Sequence, residues 1–256
     1  MHEGWQGWDD YAPFYDWENA RTQGRRDVPF WQRLASNVSG VVLELGCGTG
    51  RIAMPLARIG VSLVGIDRSS EMLAHARRRV QRSPHGHQVR LVRGDIRHLP
   101  FADASFELVI APYGILQSLL RERDLGETLE AVSRALGSGG TFGLELVADL
   151  PSWSEYERRT SLRGRRGLGA RVTLIESVRQ DRQKGLTFFD QEFVERRGRI
   201  TRRRTFTLAF RTLSVPQMTR RLVKAGLEVT AILGDYRGGP WDRRAEAWIV
   251  LAKKAG

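Results

Sequence analysis

The segment Val41-Val-Leu-Glu44-Leu-Gly46-Cys47-Gly48-Thr-Gly50 sets a short apolar run, broken only by Glu44, against three glycines at alternate positions. Residues 41–45 read as a buried strand, and the glycines fall at the turn into the next element. Glycine lacks a Cβ and tolerates positive φ, so a turn of this kind lets backbone approach a ligand closely. Ligands of open α/β sheets sit at the carboxyl ends of the strands, where this turn lies. Two details separate it from a dinucleotide fingerprint. Glu44 stands two residues before the first glycine, and the spacing is Gly-x-Gly-x-Gly rather than the Gly-x-Gly-x-x-Gly that serves a pyrophosphate.

Outward from that turn, residues 51–59 are expected as a helix stopped by Gly60, 62–66 as a strand, 69–80 as a helix and 89–93 as a strand. Residues 106–111 and 141–147 are further strands, with a helix over 124–136 between them. Asp124 and Glu127 have capping-box spacing there, and Gly137 follows as a stop. Strands alternating with helices specify βαβ units and a parallel sheet. After Asp149 and Pro151 the rhythm changes. Residues 171–178, 186–194 and 205–213 read as three successive strands, with turn signals at Lys184-Gly185 and Arg197-Gly198. Phe206, Leu208 and Phe210 alternate with Thr207, Ala209 and Arg211, so one face of the last strand is apolar. The chain then returns to a helix (215–225), a strand (227–233), a loop (234–242) and a last strand (245–251). The expectation is one domain over 1–256, with a β-meander inserted at about 151–212. Residues 1–36, which hold four of the seven Trp, form a cap segment.

With these pieces in this order, the sequence resembles the class I S-adenosylmethionine-dependent methyltransferase family, from about Tyr11 to Phe142 and again in the last two strands. The resemblance implies a Rossmann-like seven-stranded mixed sheet in the order 3-2-1-4-5-7-6, helices on both faces, the final strand antiparallel, and S-adenosylmethionine as cofactor. It places the cofactor's amino-acid part on the glycine loop (Glu44, Gly46, Cys47, Gly48, Gly50). Asp67, in Gly65-Ile66-Asp67, would accept hydrogen bonds from the ribose hydroxyls. Asp95, in Arg93-Gly94-Asp95-Ile96, would meet the adenine amino group while Ile96 packs on the ring. Arg68, Met72 and Ala111 complete the expected contacts, and Tyr15, in the spacing Tyr11-x-x-x-Tyr15, would lie over the cofactor. Leu136-Gly-Ser-Gly139-Gly140-Thr-Phe142 matches the family's turn before its fifth strand.

Methyl transfer from a sulfonium depends mainly on holding nucleophile, methyl carbon and sulfur in line. A base is required only when the acceptor arrives protonated. Tyr113, Gln117, Asp235 and Tyr236 lie near the strand ends and are candidates, but the sequence singles out no catalytic base. Cys47 has no His nearby in sequence and reads as a small buried filler. His85 and His87 lack the further ligands that zinc needs, so no metal is expected.

The formal charge is +12, and 37 of the 41 basic residues are Arg. The excess concentrates in residues 151–210, which carry 14 Arg and one Lys against seven acids. One reading makes that insert a lid over a small-molecule methyl acceptor. A second makes it a phosphate-gripping surface of an RNA methyltransferase. A third makes the whole chain a non-catalytic cofactor-binding protein on the same fold. No apolar run is long enough to span a membrane, the first residues lack the order of a signal peptide, and the single Cys suits a reducing compartment. A cytoplasmic location is the expectation.

Overall fold

A computed structural model describes residues 6–147, 154–167 and 169–255. Seven strands form the main sheet: β1 (Val42–Leu45), β2 (Leu63–Asp67), β3 (Val89–Arg93), β4 (Phe106–Ala111), β5 (Leu136–Leu146), β10 (Leu227–Leu233) and β11 (Trp248–Lys254). Their spatial order is β3-β2-β1-β4-β5-β11-β10. β1 to β5 run parallel, while β11 is antiparallel to both β5 and β10. This is the order 3-2-1-4-5-7-6 expected from the sequence. Alternate residues of β1 feed two layers. Leu43 and Leu45 pack with α5 (Glu122–Ala135) and α6 (Val215–Lys224). Val42 packs with α2 (Val28–Ala35) and α3 (Ala53–Arg58) on the other face. α4 (Ser70–Gln81) follows β2, its N-terminus capped by Ser69, whose Oγ accepts from Met72 N at 3.0 Å.

The insert is a separate antiparallel sheet of four strands rather than three: β6 (Tyr156–Arg166), β7 (Ala170–Asp181), β8 (Leu186–Arg197) and β9 (Ile200–Arg211). β6 escaped sequence reading because it is an edge strand, largely exposed on both faces. Tyr-Glu-Arg-Arg-Thr-Ser-Leu-Arg-Gly-Arg-Arg has almost no apolar alternation, and charge on an edge discourages further pairing. Residues 151–153, where the insert was expected to begin, lie outside the described residues. Other boundaries also moved. α5 starts at Glu122, so Asp124 is in its first turn, and the N-cap position is held by Arg121. The capping box sits instead on α6, where Ser214 and Gln217 exchange hydrogen bonds with each other's backbone.

One face of the insert's sheet is apolar and packs on α1 (Trp8–Asn19). Phe14 stacks on Phe193 with ring centroids 4.1 Å apart, and Phe193 stacks in turn on Phe206 at 5.7 Å. Trp17 Nε1 donates to the Arg165 carbonyl at 3.0 Å, and Arg166 Nη1 donates to the Pro13 carbonyl at 2.7 Å. On its other side α1 grips the main domain. Thr49 Oγ1 donates to Asp16 at 2.7 Å, and Arg79 forms an ion pair with Asp16 at 2.6 Å. α1 is therefore wedged between the glycine turn and the inserted sheet, and Phe206, Leu208 and Phe210 face this wedge. The arginines are not confined to the outer face. Arg158 and Arg203 flank Glu192, whereas Arg166 pairs with Glu195 and lies over the Phe14 ring.

Candidate active site

The chain leaves β1 through Gly46, Gly48 and Gly50, with φ of 61°, 53° and 78°. At Gly46 the requirement is also steric, since a Cβ there would lie 2.4 Å from Ile115 Cγ1. Asp67, at the end of β2, ties this turn to α4. Its Oδ2 accepts from Gly48 N and its Oδ1 from Ser69 N, both at 2.8 Å. Burial pushes the Asp67 carboxyl up, and these backbone N–H groups partly oppose that.

Beneath the turn, Glu44 is 3% exposed and its Oε2 has no hydrogen-bond partner. Burial is the main cause that pushes it up to about 8; Arg51 opposes, while Asp67 and Asp27 add to it. Cys47 is buried against Gly65, where a Cβ would approach its Sγ to 2.8 Å. It is a filler for which the facing strand has given up a side chain.

A cavity of about 370 Å³ opens over these groups. One part of its lining is Gly46, Gly48, Asp67, Met72 and Ile96; another is the aromatic set Trp8, Tyr15, Tyr113 and Phe210. Arg68 and Asp95 also line it. Asp95 is already engaged: Arg97 reaches both its oxygens, with Nη2 at 2.7 Å from Oδ2, and Arg68 Nη1 lies 3.0 Å from Oδ2. Burial raises the Asp95 carboxyl, but hydrogen bonds from Arg97 outweigh it and leave the group below its usual range. Any adenine amino group must share this carboxylate with two arginines.

Tyr113 follows β4 in the left-handed region at φ 51°, which is uncommon for a non-glycine residue. Glu145, at the end of β5, holds it there by accepting from Tyr113 N at 3.0 Å. The other oxygen of Glu145 accepts from Tyr236 Oη at 2.5 Å, and Gln23 Nε2 donates to that hydroxyl at 2.7 Å. Burial, then the charge of Asp27, pushes Glu145 up to about 7. Arg51 lies over the Tyr113 ring at 5.4 Å and is clamped bidentately by fully buried Asp27 at 2.7 Å.

Residues 42–140 match the family described as methyltransferase domain. The chain is 30% identical over 140 residues to a demethylmenaquinone methyltransferase of Lactobacillus johnsonii, covering 52% of this chain and 56% of that protein. It thus spans about half the length of that curated relative. It is 27% identical over 218 residues to the cypemycin N-terminal methyltransferase of a Streptomyces species, covering 83% and 82%. Among solved structures, an S-adenosylmethionine-dependent methyltransferase from Clostridium acetobutylicum superposes with a TM-score of 0.81 at 19% identity, covering 96% of this chain and 100% of that one.

Residues 42–140 carry a methyltransferase domain, and the chain has the fold of class I S-adenosylmethionine-dependent methyltransferases.

The methyltransferase site fits the family's cofactor on two observations. The unpartnered Oε2 of Glu44 lies behind a turn where a Cβ on Gly48 would meet no atom closer than 3.9 Å, room that suits an ammonium and the chain that carries it. Asp67 presents a carboxylate to the same cavity. Of the residues expected from the sequence, Tyr15, Gly46, Gly48, Asp67, Arg68, Met72, Asp95 and Ile96 line the cavity. Glu44, Cys47, Gly50 and Ala111 are not among its lining residues and support it from behind.

The four catalytic candidates separate. Only Tyr113 faces the cavity. Gln117 is fully buried and pins the end of β5, its Oε1 accepting from Val147 N at 2.7 Å. Asp235 shapes a turn by accepting from the N–H groups of Arg237 and Gly239. Tyr236 acts through Glu145. Arg51, Asp27 and Glu145 were missed, although Arg51 directly follows the glycine turn; their partners lie 24 to 91 residues away.

Proposed function

We propose that this chain transfers a methyl group from S-adenosylmethionine to a small-molecule acceptor. The observation that carries this reading is the composite lining of the cavity. One wall is the glycine turn with Asp67 and Ile96, suited to the cofactor. The other wall is the aromatic set Trp8, Tyr15, Tyr113 and Phe210, drawn from α1, the β4 end and the insert. When bound, the cofactor supplies an electrophilic methyl: the acceptor's lone pair bonds to that carbon while the carbon–sulfur bond breaks, its electron pair going to sulfur. Asp67 would hold the ribose, Glu44 and the glycine turn the amino-acid part, and Ile96 the adenine face. Asp95 would meet the adenine edge in company with its arginines. α1 and the insert exclude water from the acceptor and hold it in position.

A small acceptor accords with the names of the curated relatives and with the insert's inward aromatic face. The RNA reading is opposed by the pairing of Arg158, Arg166, Arg179 and Arg203 with acids of the same sheet. Titration calorimetry with S-adenosylhomocysteine tests the proposal. Wild-type protein binds, and Asp67→Ala weakens binding by about ten- to a thousandfold, as expected for one or two charge-assisted hydrogen bonds. Absence of wild-type binding would overturn the function. Unchanged affinity in a folded Asp67→Ala would overturn the role of Asp67.

A further inference from the structure

Trp8, Tyr11, Tyr15 and Glu18 recur at three- and four-residue spacing and so share one stripe of α1. Trp8 and Tyr15 line the cavity, Tyr11 meets Tyr15 edge to face at 5.6 Å, and Glu18 comes at the far end of the stripe. The inserted sheet presents a matching row, since Glu176 of β7 is in register with Gln191 of β8, and Gln191 with Phe206 of β9.

Where stripe and row meet, two carboxylates share one amide. Gln191 Nε2 donates to Glu176 Oε2 at 2.8 Å and to Glu18 Oε1 at 3.3 Å. The Tyr156 hydroxyl donates to Glu176 at 2.5 Å, and the Tyr11 hydroxyl hydrogen-bonds the Glu18 carboxyl. The arginines around this spot are committed elsewhere: Arg158 to Glu192, Arg166 to Glu195, and Arg21 to the carbonyls of Trp17 and Arg165. Arg166 Nε is a buried donor without a partner, but on Glu18 and Gln191 what remains unmet is acceptor capacity. Glu18 Oε2 and Gln191 Oε1 are both buried with no hydrogen-bond partner, and Gln191 is only 4% exposed. Buried polar atoms are nearly always satisfied, so two unmatched acceptors between aromatic rings call for a group rich in donors.

We infer that Glu18, Glu176 and Gln191 form the subsite that receives the acceptor's amino group, and that this enzyme methylates nitrogen. An alkylammonium brings three N–H donors and a positive charge to acceptors that have neither, and the faces of Tyr11, Tyr15 and Phe206 suit a cation. The subsite lies just behind the cavity lining, joined to it through Tyr11, whose ring meets that of the lining residue Tyr15 at 5.6 Å and whose hydroxyl bonds Glu18. An ammonium has no free lone pair. Handing one proton to Glu18 breaks an N–H bond, leaves its electron pair on nitrogen and makes a neutral carboxylic acid. Burial, then the neighbouring Glu176, pushes Glu18 up to about 7, so it can take that proton near neutrality.

The inference rests on the proposed function and is tested by binding. The probes are benzylammonium and its neutral isostere benzyl alcohol, titrated at pH 7 into protein saturated with S-adenosylhomocysteine. Benzylammonium binds at least about tenfold more tightly, and Glu18→Gln closes that gap while keeping S-adenosylhomocysteine affinity. In the unaltered protein, a glutamate side-chain carboxyl resonance moves with benzylammonium and stays still with benzyl alcohol, which guards against a variant that fails to fold. Equal affinity for the two probes, or no saturable binding of either, overturns the subsite. Failure of wild-type protein to bind S-adenosylhomocysteine overturns the methyltransferase function instead.

Discussion

The two walls of the cavity are made in different ways. The wall under the glycine turn is local: Gly46 to Ile96 supplies it from 51 consecutive residues, and its principal contacts are backbone N–H groups fixed by strand ends and a helix cap. The aromatic wall (Trp8, Tyr15, Tyr113 and Phe210) is assembled from afar and held by packing behind it. There Phe14 meets Phe193, Trp17 meets Arg165, and Gln23 meets Tyr236, contacts that only the finished fold creates. A wall of the first kind is rigid because the backbone is. A wall of the second kind is only as rigid as the packing of α1 against the insert, and its side chains can be exchanged without disturbing the sheet. The difference separates a shared cofactor site from a specificity surface.

Removing the packing should break that contrast most sharply. Phe193→Ala deletes a fully buried ring stacked between Phe14 and Phe206, and a loss of about 3–5 kcal/mol is expected. Thermal unfolding would measure it. Hydrogen exchange should show α1 and β7–β9 opening first, with β1, β2 and β4 still protected. Uniform loss of protection across both regions would mean that the walls are not separable.

A smaller effect lies beneath the local wall. Below about pH 4.5 Glu44 is protonated in folded and unfolded chains alike. Between there and about 8 the unfolded chain ionises first, so stability attributable to Glu44 declines across that window and levels off above it. Glu44→Gln should lack this decline, and its advantage over wild type should grow by up to a few kcal/mol from pH 5 to 8.5, measured as urea midpoints. A constant difference between the two proteins would remove Glu44 from the account of the cofactor wall.

The smallest effect belongs to the exposed end of the insert's last strand. Arg202, Arg203 and Arg204 are exposed, and Arg203 shares Glu192 with Arg158. Exposed ion pairs contribute about 0–1 kcal/mol, so changing all three to Gln should shift stability by less than that per pair. Fluorescence anisotropy with a single-stranded RNA at two salt concentrations should give weak binding that the change does not alter. Tight binding with a log–log salt slope of several times about −0.7, lost in the variant, would restore the RNA reading and make the insert a phosphate surface.

Legibility in the sequence followed the same division. The order of the main sheet could be read because its strands are short, β-branched or apolar at most positions, and separated by glycine or helix signals. Asp67 and Ile96 could be placed because their motifs are contiguous. β6 could not be read, since an exposed edge strand carries no alternation. Asp124 looked like a cap, but its carboxylate instead pairs with Arg97 and Arg123, a role set by tertiary contact. Glu145 and Arg51 had no local signature, because what defines them is the positive φ of Tyr113 and the buried carboxylate of Asp27. Glu18, three residues beyond Tyr15, gave no hint of its meeting with Gln191.

Cys47 turns the glycine turn into a clock. It is the chain's only thiol, buried at 3% exposure, and burial with Glu44 and Asp67 nearby pushes its ionisation up. A thiol so placed reacts with an alkylating reagent only when the segment swings away from Gly65, so modification follows the frequency of that excursion. Timed alkylation read by mass would then count openings of a single loop, free of interference from any other sulfhydryl, and a molecule seated on the loop would slow the count.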